Sequence, residues 1–342
     1  MTERAGALDH VPAGWDALLA ADPSSTPAHR PEVWSALAAT IPGFEWRLLA
    51  HAEAGALVAG APLVISRRGP FRWLHALPWL LPAAPLARPG GHEAADASLA
   101  SAFAALACEH RVVGGEWSLY RPDGPAPAEA VLERLPGETR WFEAALLRLD
   151  HGLEPLRMRM SRKQRQALEH ARARDFAFAD EPDALDEAHA LHLSQSHGWG
   201  RHAPLPIELS RRLLHAGGPE PVARLFTLRS RHGLVSATLA LDSRHETFVW
   251  WSGTHAEGRR GQAFAYLLWC VCEWSAARGR RRLNLGASTG LPHVAAFKGA
   301  LGAEAFRYPV RRLDARAAGW PGRAIAALQR AVRRGRPQGA AR

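Results

Sequence analysis

The residues best suited to chemistry lie in one stretch, Val249 to Tyr308. The segment Glu257-Gly258-Arg259-Arg260-Gly261-Gln262-Ala263 is a glycine turn crowded with arginine. It falls between the apolar run Phe248-Val249-Trp250-Trp251-Ser252-Gly253-Thr254 and a long apolar segment ending near Gly279. A helix start leaves backbone N–H groups without intrahelical acceptors, and its dipole favours negative charge, so strand, turn and helix together make an anion cradle. The amides of Gly261, Gln262, Ala263 and Phe264 are the expected donors, with Arg259 and Arg260 adding charge-assisted hydrogen bonds. Lysine is scarce: of 43 basic residues only Lys163 and Lys298 are lysine. An ammonium is a compact point charge where a guanidinium is a planar fork, so a lysine kept in so arginine-rich a chain is informative.

The elements around this stretch predict an α+β fold with a mixed sheet. Helices are expected over 14–21, from Pro31, and over 99–110. A hairpin is expected from Phe44–His51 and Leu57–Ser66, with strands at 116–120 and 139–149. Ser161-Arg162-Lys163-Gln164 reads as a capping box opening a basic helix to about Arg174. A strand at 176–179, helices at 185–195 and 207–215, and strands at 223–230, 234–242 and 247–253 follow. The chain then runs through the glycine turn, the long helix, a strand at 282–286 and a final strand pair. Both halves share an outline of helices, meander, helix and strand, which suggests duplication.

With 342 residues and 13 tryptophans the chain can bury the cores of two domains. Cys108, Cys270 and Cys272 are too few for a disulfide framework and read as buried small hydrophobes in a reducing compartment; no metal site is expected. The N-terminus lacks an apolar leader, and Leu74–Ala87 is broken by Pro78, Pro82 and Pro85. A cytoplasmic protein is therefore expected. Residues 1–150 carry 12 arginines against 17 acids, whereas 151–342 carry 31 basic residues against 16 acids. That asymmetry points to an anionic partner for the second part.

Gly261-Gln262-Ala263-Phe264-Ala265-Tyr266-Leu267-Leu268 resembles the acyl-CoA pyrophosphate loop of GNAT-superfamily N-acyltransferases. With Leu283-Asn284-Leu285-Gly286-Ala287-Ser288 and Phe297-Lys298-Gly299-Ala300-Leu301-Gly302-Ala303, the resemblance narrows to the FemAB/BioF2-like branch. That branch has two GNAT-like domains in tandem. The resemblance implies a degenerate N-terminal GNAT-like domain (1–150), a catalytic one (151–315) and a basic tail (316–342). It implies acyl-CoA, such as acetyl-CoA, as co-substrate and acyl transfer to an amine, with Lys298 holding a phosphate or stabilising the tetrahedral intermediate. Two positions depart from the pattern. Gly258 stands where such loops usually carry Gln or Arg, and Asn284 stands where the branch often has Asp. The base stays open among His293, Tyr308, Asp242 and Glu273. Arg162, Lys163, Trp199 and Trp251 are the expected substrate contacts, and Trp250 and Trp251 are expected on opposite faces of one strand.

Three functions are compatible with these residues. The first is an N-acyltransferase acting on a small-molecule or cell-envelope-related amine. The second is an aminoacyl-tRNA-dependent transferase, supported by the charge of the second part. The third is a non-catalytic binding module retaining the fold. Trp320, Ile325, Leu328 and Val332 beside Arg323, Arg330, Arg333, Arg334 and Arg336 suggest a basic amphipathic tail able to touch anionic lipid or RNA.

Overall fold

The computed structural model describes residues 5–76, 81–126, 129–196, 204–288 and 290–314. The tail and Trp199 lie outside the described residues. The first half contributes β1 (Gly6–Leu8), α1 (Trp15–Ala21), α2 (Pro31–Thr40), β2 (Phe44–Glu53), β3 (Ala56–Arg68), β4 (Phe71–His75), β5 (Leu86–Ala87), α3 (His92–Glu109), β6 (Gly114–Ser118), α4 (Glu129–Glu133) and β7 (Glu138–Arg148). The second contributes α5 (Leu153–Arg159), α6 (Arg162–Arg172), β8 (Ala177–Asp180), α7 (Leu185–Ser196), α8 (Ile207–His215), β9 (Ala223–Ser230), β10 (Gly233–Asp242), β11 (Glu246–Thr254), α9 (Ala256–Arg260), α10 (Ala263–Ala277), β12 (Arg282–Asn284), α11 (Pro292–Ala300) and β13 (Glu304–Asp314).

One mixed sheet runs through both halves in the order β1-β2-β3-β4-β6-β13-β7-β12-β11-β10-β9-β8, with β5 added to β3. Each half is a meander, a crossover helix and a strand parallel to the meander's last. These are β2-β3-β4, α3 and β6 in the first half, and β9-β10-β11, α10 and β12 in the second. The closing strands are exchanged. β13 pairs with β6 and β7 pairs with β12, while β7 and β13 lie antiparallel at the seam. The expected final strand pair is therefore a helix, α11, and a single strand whose partners come from the first half.

On one face α1, α2, α7 and α8 enclose a core spanning both halves, built on Trp15, Trp34, Leu48, Leu213, Leu225 and Phe248. On the other face α3 and α4 cover the first half around Phe103 and Trp117. There α5, α6 and α10 cover the second half around Leu168, Leu267, Val271 and Leu283. Each fully buried Leu or Val contributes about 1.5–3 kcal/mol. Helix α10 is apolar nearly all round because it is enclosed, and that places Cys270 and Cys272 inside together. Burial pushes the Cys270 thiol up to about 11. Cys108, expected to be buried, is exposed at the end of α3.

The seam is tied by a buried polar network. Arg282, fully buried, donates from Nε to Glu246 Oε2 (2.6 Å), from Nη1 to Asp123, and from Nη2 to the Ser25 carbonyl (3.2 Å). Tyr120 Oη donates to Glu246 Oε2 at 3.0 Å. Asn284 Nδ2 donates to Tyr120 Oη (3.0 Å) and Glu246 Oε1 (3.1 Å), while its Oδ1 accepts from the Gly286 amide (2.8 Å). An aspartate at 284 could donate to neither group. Asparagine completes the network, which explains that departure.

Candidate active site

The parallel pair β11–β12 is short. Glu246, Thr247 and Phe248 pair with Arg282, Leu283 and Asn284. Beyond them β11 continues to Thr254, while β12 ends and the chain turns away at Gly286 (φ +71°). The strands diverge there, leaving the β11 edge without a β12 partner along Val249–Thr254. Opposite, β11 pairs with β10 across a bulge: Leu239 faces Trp251 and Ala240 faces Val249, so Trp250 is the extra residue. The bulge interrupts the alternation. Trp250 and Trp251 both pack with the core shared by the two halves, rather than on opposite faces. Trp251, buried, donates Nε1 to Ser210 Oγ (3.2 Å) and lies 5.1 Å from the His192 ring, so it is a core residue and not a cleft wall.

The glycine turn contains a short helix, α9, capped by His255. Gly258 lets that helix lie on β10, since a Cβ there would stand 2.4 Å from the Val235 carbonyl oxygen. A Gln or Arg at this position would collide with backbone. Gln262 then takes a left-handed conformation (φ 58°) and starts α10. Two of the four expected amides are already used: Gly261 N donates to Glu257 O (2.9 Å) and Gln262 N to Arg259 O (3.3 Å). The free donors are shifted by one turn position. They are Ala263, Phe264 and Ala265, the first intrahelical bond being Tyr266 N to Gln262 O (3.2 Å). Arg259 is spent on the Thr254 carbonyl (Nη1, 2.7 Å). Arg260 faces a cavity of about 570 Å³ between α6 and the start of α10, which Lys163 also lines. Arg162, exposed, lies outside that lining. Ser161 accepts from Gln164 N (3.2 Å), but its own amide goes to Ala300 O (2.9 Å), so only half of the capping box forms.

Lys298 lies on α11 and is buried. Its Nζ donates to the carbonyls of Gly286 (2.9 Å) and Ala287 (2.8 Å), where the chain leaves β12 beside the gap. Burial lowers its pKa to about 8, with the Glu143 carboxylate pulling the other way. The ammonium has three donors, and two are occupied. Phe297 stacks on Phe264 (5.8 Å, 16°), joining the lysine's helix to the first turn of α10. The structure thus brings together the α10 amides, the β11–β12 gap and Lys298.

The base candidates do not join them. His293 is the second residue of α11, not of a loop, and is exposed. Tyr308 is buried at the seam among Tyr120, Phe142 and Phe306. Burial, with Glu246 and Glu116 adding, raises its phenol well above the usual range, so it is a donor and not a base. Asp242 is held by Arg280 (3.0 and 2.7 Å) and Thr247 (3.0 Å). Glu273 accepts from Trp269 (2.5 Å) and Arg172 (3.0 Å). The seam network was not anticipated, whereas the α6 cavity gathers residues already expected at the site, Lys163 as a substrate contact and Arg260 as a phosphate contact. Arg282 in a short apolar strand was the one local signal for the former.

Two GNAT-like halves sharing a sheet, each with a crossover helix between parallel strands, define the fold as tandem GNAT. Residues 156–308 match the family model described as an acetyltransferase (GNAT) domain, and this half is a GNAT-superfamily domain. The crystal structure of FemX is similar over 89% of this chain and 96% of its own, with TM-score 0.72 and 10% identity. The C-terminal domain of a putative lysylphosphatidylglycerol synthetase from Agrobacterium fabrum is similar over 93% and 94% (TM-score 0.54, 14% identity). A conserved protein of unknown function from Bacteroides thetaiotaomicron is similar over 89% and 98% (TM-score 0.55, 12% identity). At these identities the likeness is one of fold, and the arrangement is FemX-like. No curated protein matches the sequence. Among the described residues no helix is long and apolar enough to cross a membrane.

Proposed function

We propose that the protein is an acyl-CoA-dependent N-acyltransferase that works in the cytoplasm on an amine of a small-molecule or cell-envelope-related acceptor. The observation that carries this is the convergence of three free α10 amides, the gap where β12 leaves β11 and a buried lysine anchored on two carbonyls. The amides at Ala263–Ala265 suit a diphosphate. The gap that opens between β11 and β12 beyond Phe248 suits the amide-bearing arm of the donor, while Ser252 O, Thr254 N and Thr254 O on that edge are taken by His192, Gln195 and Arg259. The neutral acceptor amine attacks the thioester carbonyl carbon. The C–S bond then breaks, coenzyme A leaves as thiolate, and the surplus amine proton passes to that thiolate or to water. Lys298, with its third N–H free, stabilises the oxyanion formed between these steps. Its test is thermal shift with coenzyme A. Stabilisation that is lost in Gly261→Glu supports the reading, and no shift in the wild type refutes it.

A second reading, an aminoacyl-tRNA-dependent transferase, is favoured by the basic exposed side of α6 and the turn after it, where Arg162, Lys163 and Arg174 have no acidic partner among the described residues. One relative in fold is described as a putative lysylphosphatidylglycerol synthetase, a name that joins an aminoacyl group to a lipid. Binding of tRNA that falls between two salt concentrations and weakens when residues 162–165 are neutralised would favour it. Absence of both ligands' effects would leave the non-catalytic binding module. Contact of the basic tail with anionic lipid is an extension of either reading.

A further inference from the structure

The cavity beside Gly261 carries more positive charge than the amide cradle needs. Helix α6 crosses the start of α10, and the space between them is lined by Lys163, His170, Arg174, Arg260 and Gln262. Among the described residues, the side chains of Lys163, His170, Arg174 and Arg260 make no hydrogen bond or ion pair. Elsewhere in this half Arg224 pairs with Asp180, Arg229 with Glu181 and Glu187, and Arg280 with Asp242. The one acid at the cavity, Glu169, accepts from Arg157 (3.1 Å). Arg174 is packed against the turn itself, its Nη1 3.3 Å from the position a Cβ at Gly261 would take. Three fixed cations and a histidine around one opening repel each other unless an anion joins them.

We propose that this cavity binds a phosphomonoester, the 3′-phosphate of coenzyme A, beside a diphosphate held by the α10 amides. The inference rests on acyl-CoA being the donor and adds what selects it. A phosphomonoester is close to doubly charged at neutral pH and offers three acceptor oxygens. Lys163 on α6, Arg174 just after it and Arg260 on α9 supply matching donors, so the ligand also joins α6 to the turn. The consequence is donor specificity. Thioesters of free coenzyme A are accepted, whereas acyl groups on the phosphopantetheine arm of a carrier protein, which lacks this phosphate, are discriminated against.

Calorimetric titration of the full chain with coenzyme A and with 3′-dephospho-coenzyme A tests this. The wild type should bind coenzyme A about 10- to 100-fold more tightly, the span of one or two charged hydrogen bonds. The preference should disappear in Lys163→Ala/Arg174→Ala and persist in Arg231→Ala, an exposed arginine on the β9–β10 turn. Equal binding of the two ligands by the wild type overturns the inference and leaves the acyl-CoA reading standing. If neither binds, both fall. Salt-sensitive tRNA binding lost in the double variant, without coenzyme A binding, would assign the cavity to RNA phosphates and overturn the proposal.

Discussion

Replacing Lys298 by methionine separates catalysis from stability. The folded pKa of about 8 against the ordinary 10.5 means the buried ammonium costs about 3 kcal/mol below pH 8. Between pH 8 and 10.5 the unfolded chain binds the extra proton, so wild-type stability rises with pH in that window. Methionine removes the charge but leaves the Ala287 carbonyl without its donor, a loss of roughly 1–3 kcal/mol. The Gly286 carbonyl keeps the Ala145 amide (3.1 Å). The two effects oppose, so Lys298→Met should change unfolding free energy at pH 7 by no more than about 2 kcal/mol. Loss of an oxyanion donor should lower kcat by about 10²- to 10³-fold. With an acceptor whose amine titrates well below pH 8, wild-type kcat should fall as pH rises through about 8, because the ammonium is the active form. A rate that rises through pH 8 would make Lys298 the base and refute the oxyanion role. A folded Lys298→Met variant with near wild-type kcat would refute any role at all.

Other outcomes follow from the packing. Gly258→Gln forces a Cβ toward a carbonyl 2.4 Å away and should cost about 1–3 kcal/mol in denaturant unfolding, despite matching the more usual residue. His29 is fully buried, and desolvation lowers its pKa to about 4. As pH falls from 6.5 to 4 the unfolded chain takes up a proton that the folded chain refuses. About 3 kcal/mol is lost there, a slope that His29→Gln should remove from the acid-unfolding curve. Arg282→Met leaves Glu246 and Asp123 buried without their shared cation and should cost about 3–5 kcal/mol, with both halves melting together.

What could be read in advance was local. The hairpin at Phe44–Ser66, the Ser161 cap and the apolar helix after Gln262 depend on neighbours in the chain, and patterns of two and 3.6 residues report them. What could not be read was the pairing of Glu304–Asp314 with Gly114–Ser118 and Glu138–Arg148, because alternation in β13 says nothing of which edge it meets. The bulge at Trp250 inserts one residue and reverses the inference from alternation for its neighbours. Lys298 drew notice because lysine is rare. Its anchoring on Gly286 and Ala287 needed the turn after β12, and the use of the Gly261 and Gln262 amides needed the unforeseen helix α9.

The strand exchange bears on the gap at the site. If each half kept its own last strand, β12 could be positioned by the second half alone. Instead, β12 is held between β11 and β7, and β7 is set by β13, which is paired in turn to β6. Arg282 and Asn284 fix the same strand through Asp123 and Tyr120 of the first half. The start of the β11–β12 divergence, and with it the carbonyls that hold Lys298, is therefore positioned by residues on both sides of the seam. The first half is therefore part of the frame of the site, because it sets the register against which the gap opens.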